Sequence, residues 1–156
     1  MRKIVLFLIL FVFLCSSLYA LDTTLKDIRD QVYNESRELK KMMSKTQDPV
    51  FLSSMWDSCL IATIQLDAYF HMINLFNTIK QEDLNESAVD SLTDWLNTIK
   101  EMNKLNIESL GSTAKAFDQH TKIHMGRLKT LYSNLNKQLD AELKKVSAIK
   151  KSLKLR

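Results

Sequence analysis

Three histidines and one aspartate are the residues whose types and spacing come closest to a metal-binding pattern. Asp67 and His71 are four residues apart, and His120 and His124 are also four residues apart. Side chains at this spacing project from the same face of a helix, so each pair can offer two ligands side by side. Because imidazole and carboxylate groups on facing helices of a bundle bind transition metals, the pattern predicts a metal site formed by these four residues.

The same residues have a simpler interpretation as ordinary polar side chains. Asp67 and His71 lie about 100° and 140° around the helix from Leu66, the centre of the longest apolar seam, and therefore point away from the core. The two residues also form an ordinary intrahelical pair. No further carboxylate stands at the Glu-x-x-His spacing that di-metal bundles use. Both interpretations therefore remain open.

Haem is a second cofactor that the sequence allows. His124 together with Met42 or Met43 could supply a His and Met axial pair, since helix one is expected to end near the level where helix four begins. Methionines that fill an apolar core would give the same pattern. The sequence contains no Cys-x-x-Cys-His attachment motif, Gly-rich phosphate loop, His-Glu-x-x-His motif or nucleophile elbow. We therefore expect a non-catalytic protein without a cofactor, with transition-metal or haem binding as the alternative.

The first twenty residues have the composition of an export signal. Arg2 and Lys3 form a short positive region, residues 4–14 are an unbroken apolar run, and small residues are found from there to Ala20. This order is typical of a secretory signal peptide, residues 1–20, that is cleaved after Ala20. The alternative is an uncleaved membrane anchor, because the apolar stretch is just long enough to span a bilayer. We expect a periplasmic or secreted protein.

Cleavage would leave a single domain, residues 21–156, of moderate charge. Loss of Arg2 and Lys3 lowers the formal net charge from +4 to +2, so nucleic-acid binding is not expected. This domain has one cysteine, Cys59, which cannot form an internal disulfide and is expected to be a small buried side chain. The whole chain has two glycines and one proline, which favours a few long helices over a sheet with many turns.

Apolar residues recur at spacings of three and four along four segments, which predicts four helices. Pro49 is typical of a first helical position, and Ser87 with Asp90 resembles a capping box. Gly111 followed by Ser112 is typical of a helix end and a new cap. The predicted helices run from Thr23 to Met43, from Pro49 to Lys80, from Ser87 to Leu110 and from Thr113 to Leu153.

Short connections make consecutive helices antiparallel, so the predicted fold is all-α: an up-down-up-down four-helix bundle with a long C-terminal helix. Helix two is apolar on almost every side and is expected to be the most enclosed. A count of residues from the turn centres places residue 71 level with residues 96 and 126, which would bring the two candidate ligand pairs together. The same count places the start of helix three near residue 137, so the end of helix four is expected to project past the bundle.

The C-terminal segment, residues 138–156, is therefore predicted to form a projecting, basic amphipathic arm. Together with Lys137 it has a net charge of +5, from seven basic and two acidic residues. Such helices bind anionic membranes or acidic partners, although basic residues near a helix C-terminus also complement the helix dipole. The residues expected to contact a partner or a membrane are Lys137, Leu139, Leu143, Lys144, Lys145, Val146, Ile149, Lys150, Lys151, Leu153 and Lys154.

These features predict an exported, non-catalytic helical-bundle protein that binds another protein, or a second copy of itself, through its C-terminal helix. A membrane surface is a further possible contact for the same helix. The alternative function is a periplasmic four-helix bundle that binds a metal or haem.

Overall fold

The protein consists of long helices joined by short connections. The computed structural model describes residues 25–45, 49–79, 85–113 and 118–154. Within those ranges there are four helices and no strand, so the prediction of an all-α helical bundle is confirmed. The predicted signal peptide, residues 1–20, lies outside the described ranges. The helices are α1, residues 25–43; α2, Pro49–Thr78; α3, Glu86–Thr113; and α4, Gln119–Lys154.

The starts of α2 and α3 test two of the predicted helix N-termini. Pro49 is the first residue of α2, as predicted, because a first-turn residue needs no amide hydrogen. The capping box at Ser87 is wrong, since α3 begins one residue earlier and Asn85 provides its cap. The side-chain oxygen of Asn85 accepts a hydrogen bond of 2.8 Å from the amide of Ala88.

The end of α3 and the start of α4 also differ from the prediction. Gly111 does not end its helix: α3 continues to Thr113, and neither glycine has a positive φ angle. Asp118, not Ser112, caps the next helix. Its Oδ1 accepts hydrogen bonds from the amides of His120, at 2.8 Å, and Thr121, at 3.0 Å, while its Oδ2 accepts one from the Thr121 hydroxyl. These hydrogen bonds lower the pKa of Asp118, those from Thr121 most.

The core is built from one apolar stripe on each helix. Every fully buried leucine or isoleucine in it contributes about 1.5–3 kcal/mol relative to an exposed side chain. The stripes of α1 and α3 match the predicted periodicity of three and four. The largest fully buried side chains are Leu25 and Leu39 of α1, Leu52, Leu66 and Tyr69 of α2, Leu92, Leu96 and Ile99 of α3, and Leu128, Tyr132, Leu135 and Leu139 of α4.

Side-chain contacts fix how the helices are placed along one another. As the residue number increases along α1, the number of its contact residue on α2 decreases. The same is true of α3 and α4. Between α2 and α4, both numbers rise together. The contacts are Arg29–Asp67 and Lys40–Trp56, Lys100–Asp140 and Asp90–Lys150, and Cys59–Tyr132 and Tyr69–Glu142. Glu35–His124 joins α1 to α4, and Gln65–Met102 joins α2 to α3.

One side of α2 faces solvent, although this helix has the smallest exposed share of the four, as expected. Its contacts with α1, α3 and α4 cover the side that carries Leu66, whereas Val50, Ile64 and Leu75 expose most of their side chains. Three neighbours on one side leave the opposite stripe of the helix uncovered. Among the described residues, α2 is also the one helix long and apolar enough to cross a membrane, a criterion that the core helix of a soluble protein meets as well.

Candidate functional site

The C-terminal segment lies along the bundle, and the prediction of a projecting arm is wrong for the described residues. Leu139 and Val146 are core residues, and Lys150 forms ion pairs with Asp90 and Glu86 at the start of α3. The residue count was wrong because α3 continues to residue 113 and α4 starts at residue 119. The start of α3 therefore lies beside residue 150 and not beside residue 137. The apolar residues of the segment that pack partly buried against the core are Leu143, Ile149 and Leu153.

Two of the basic residues in this segment are used inside the bundle. Lys145 lies 3.3 Å from the buried carboxylate of Glu142, and Lys150 bonds to Asp90 and Glu86. The hydrogen bond from Lys150 to Asp90 raises the pKa of the lysine, as a nearby carboxylate favours the charged ammonium. Lys150 therefore joins α4 to the start of α3, whereas Lys145 pairs with a residue of its own helix. The side chain of Lys154 lies outside the described part of the chain.

Three other lysines form a separate surface, the α4 basic face, which consists of Lys137, Lys144 and Lys151. They are seven residues apart, so they project from one side of the helix, and all three are exposed. Within the described ranges, none of them forms an ion pair. Lys144 and Lys151 border a shallow cleft of about 640 Å³ together with Leu143 and Asp140. This side of α4 is directed away from the core and faces solvent.

The predicted ligands Asp67 and His71 lie far from His120 and His124. The pairs Cys59–Tyr132 and Tyr69–Glu142 set the register of α2 against α4 and place His124 near the start of α2. Asp67 is then roughly 10–25 Å away along the bundle, the shorter value following from the contacts of Arg29 with Asp67 and of Glu35 with His124. The residue count that placed both ligand pairs at one level is wrong because it started α4 too early, which also caused the error about the projecting arm. No three His, Cys, Asp or Glu residues of the described ranges are arranged to hold a metal.

Asp67 has a partner on α1 instead. Both of its carboxylate oxygens accept hydrogen bonds from Arg29, at 2.9 Å from Nε and 2.8 Å from Nη2. This two-pronged contact is the chief cause of the raised pKa of Arg29. The Arg29 guanidinium also lies 5.6 Å from the ring centre of Tyr33. His71 is exposed on α2. Asp67 therefore joins two helices and is already neutralised by a cation.

His124 is buried between α4 and α1, where it contacts Glu35. Nδ1 of the imidazole lies 2.7 Å from Oε2 of Glu35, and Arg127 lies 3.6 Å from the other carboxylate oxygen. The ring of His120 meets that of His124 edge to face, with centres 5.0 Å apart, but His120 itself is exposed. A polar cleft of about 600 Å³, lined by Glu35, Arg127 and Asn134 among others, opens beside this cluster.

The two methionines considered for haem pack partly buried against the core at the end of α1. Met42 lines a cavity of about 360 Å³ together with His120 and Thr121. His124, the expected axial ligand, points one ring nitrogen at Glu35. Binding of haem or of a metal stays a prediction, which elemental analysis and an absorption spectrum of the purified protein would test.

A buried polar pair between α2 and α4 was missed by the sequence reasoning. The hydroxyl of Tyr69 donates a short hydrogen bond to Oε2 of Glu142, and both side chains are 2% exposed. The available signal is the position of Glu142, which follows Leu139 by three residues and precedes Val146 by four. That spacing places a carboxylate on the buried stripe of α4.

Two further core groups are polar. The thiol of Cys59 is buried, as predicted, and accepts a hydrogen bond from Tyr132 at 3.6 Å. Burial raises the pKa of the Cys59 thiol to about 12, so the thiol is protonated and unreactive at neutral pH. Asn103 of α3 is 1% exposed, and neither atom of its amide has a hydrogen-bond partner among the described residues.

The second exposed surface is the outer face of α2, which consists of seven residues at steps of three, four or seven on the side of Ile64. Apart from Asp57 and His71, these seven are apolar, and the polar side chains of Ser53, Ser54 and Thr78 lie on the same side of the helix. Its residues are Val50, Asp57, Ile61, Ile64, Ala68, His71 and Leu75. A comparison of the chain with protein-family models, with curated proteins and with solved structures gives no match.

Proposed function

We propose that this chain is an exported, non-catalytic helical-bundle protein that binds an acidic protein partner through the α4 basic face. The observation that carries the proposal is the exposure of Lys137, Lys144 and Lys151 on one side of α4. The other lysines of this segment whose side chains are described, Lys145 and Lys150, are paired inside the bundle. Three cations on a rigid helix, about 10 Å apart, can meet carboxylates at matching spacing on a partner.

A protein partner is favoured over a membrane because of where the apolar side of the segment lies. A helix that binds at a membrane surface buries its apolar side among the lipids. Here Leu139 and Val146 are buried in the bundle core, so that side is occupied. The α4 basic face then offers charge without apolar anchors, which suits an acidic protein surface better.

The proposal includes a chain topology and a location. We propose that the helices form an up-down-up-down four-helix bundle, which is supported by the order of the contacts along α1 with α2, α3 with α4, and α2 with α4. We also propose that residues 1–20 are a signal peptide and that 21–156 are a single exported domain. The support is the order of charge, apolar run and small residues at the N-terminus.

The test replaces the three lysines together. The variant Lys137→Glu, Lys144→Glu, Lys151→Glu changes the net charge by −6, and the control Lys26→Glu, Arg37→Glu, Lys129→Glu changes it equally on other exposed positions. We expect the first variant to lose its retention on immobilised poly-glutamate and its binding to the captured partner. The control should keep more of its retention and more of its partner binding. Equal losses in the two variants would contradict the proposal. Binding to phosphatidylglycerol vesicles but not to poly-glutamate would instead indicate a membrane contact.

A further inference from the structure

The outer face of α2 has the spacing of a helix–helix seam. Val50, Asp57, Ile64 and His71 follow one another at seven residues, and Ser54, Ile61, Ala68 and Leu75 form a second row at seven residues, four positions further along. Alternating steps of three and four define the contact seam of a coiled coil. The seam extends over about 38 Å, or more than three heptads, and Ser54, Asp57 and His71 interrupt its apolar positions. Apart from the half-buried Ala68, the bundle leaves these positions exposed.

We propose that the outer face of α2 is the interface between two copies of this chain, which pack with their α2 helices antiparallel and centred near Ile64. The inference does not depend on the α4 basic face. A two-fold axis through this point makes the surface self-complementary, as symmetric dimers require. The positions of Asp57 and His71 in the seam indicate that a second copy of the chain binds this face.

Asp57 and His71 stand seven residues before and seven residues after Ile64. In the antiparallel arrangement, Asp57 of each copy comes within about one helical turn of the partner's His71, and this happens twice by symmetry. In a parallel arrangement, Asp57 of one copy would lie beside Asp57 of the other copy, so two like charges would face each other. The polar residues of the seam therefore support an antiparallel pair and disfavour the parallel one.

The side chains next to the centre support a close approach of two helices. Ala68 is small and lies beside Ile64 in the seam, so another backbone can come near. The apolar side chains of Ile61, Ile64 and Leu75 would be removed from water by a second copy, as in the core of a protein interface. The face carries no lysine or arginine, the residues with which a helix at a membrane surface binds lipid head groups.

The first test places a charge at the centre of the proposed interface. Ile64→Asp is compared with Leu105→Asp on α3, because the two side chains are almost equally exposed, at 66% and 65%. In sedimentation equilibrium of the protein expressed as the full 156-residue chain, we expect a dimer for the wild type and for Leu105→Asp. We expect Ile64→Asp to weaken the dimer at least about 30-fold, as for a central hot spot.

The second test uses the symmetry of the charges. Asp57→Lys alone and His71→Asp alone are each expected to weaken the dimer, while the double variant Asp57→Lys, His71→Asp is expected to bind more tightly than either. The reason is that the double variant places a cation opposite an anion across the axis, whereas neither single variant does. Additive weakening in the double variant would overturn the antiparallel pairing.

The third test traps the arrangement by oxidation. A new thiol in Ile64→Cys lies at the two-fold axis and is expected to form an intermolecular disulfide, with one bond formed and two thiols oxidised by added diamide. In Val50→Cys the two thiols are far apart and remain reduced. Cross-linking of both variants, or of neither, would overturn the proposal. So would a monomeric wild type, a dimer indifferent to Ile64→Asp, or a monomer that binds phospholipid vesicles in an Ile64-dependent way.

Discussion

The hydrogen bond between Tyr69 and Glu142 allows a prediction in which the effect of one mutation depends on its background. Tyr69→Phe removes only the hydroxyl that donates to the buried carboxylate. The ring stays, so no cavity of side-chain size is formed. In the wild-type background the variant should be less stable, because a buried carboxyl group in the core loses a hydrogen-bond donor.

The magnitude follows from the burial of both groups. Leaving a buried acceptor without its donor costs about 1–3 kcal/mol, and with both side chains 2% exposed water cannot replace the donor. We therefore expect a loss of about 2 kcal/mol in the free energy of unfolding, or roughly 4–8 °C in Tm for a chain of this size. In a Glu142→Met background the carboxylate acceptor is absent, so the same mutation no longer removes a hydrogen bond to a carboxylate. There, Tyr69→Phe should cost clearly less than in the wild-type background.

Urea unfolding of the four members of this double-mutant cycle measures the coupling, with equal m-values as the check that each variant unfolds as the same structure. Tyr132→Phe is the matched control, because Tyr132 is equally buried but donates to the sulfur of Cys59, a weak acceptor. Its cost should stay below that of Tyr69→Phe. The reasoning is refuted if Tyr69→Phe has the same effect with Glu142 present and with Met in its place.

Two further outcomes concern a core amide and a helix cap. Asn103→Leu should stabilise the protein by about 1–3 kcal/mol in the same urea assay, since it replaces a buried amide that has no partner among the described residues, whereas Leu at the exposed Asn97 should change little. Asp118→Ala should lower Tm at pH 7, because the folded-state pKa of Asp118 lies below its usual 3.8. That contribution is present above the unfolded-state pKa and is lost as the pH falls through the folded-state pKa, so the two thermal midpoints should converge in acid. Asp118→Asn keeps a capping oxygen and should show neither the full loss nor the convergence.

The sequence predicted the helices better than their ends. Apolar spacing located all four helices, because burial of a stripe is a property of each segment by itself. The connection between α3 and α4 was placed too early, since Gly111 followed by Ser112 satisfies the local rule for a helix end. The carboxylate of Asp118, which accepts two amide hydrogens, determines the actual start of α4.

That single misplacement accounts for the errors at the predicted sites. The position of α4 along its neighbours depends on where the connection ends. Because α4 starts later than predicted, His120 and His124 lie away from His71. It also moved the start of α3 beside Lys150 and removed the projecting arm. The pairing of Glu35 with His124 could not be derived, because it needs the rotation of two helices about their own axes as well as the register.

The apolar composition of α2 has a physical explanation in its two sides. α4 is buried on one side and charged on the other, as expected for a helix with one interface. α2 has Leu66 and Tyr69 in the core, yet Ile64 and Leu75 on the opposite side are apolar and exposed. An apolar side facing water favours aggregation, so a stable protein covers it or keeps it small. A second α2 helix on that side makes the all-round apolar sequence consistent with solubility, and no fifth helix is then needed to cover it.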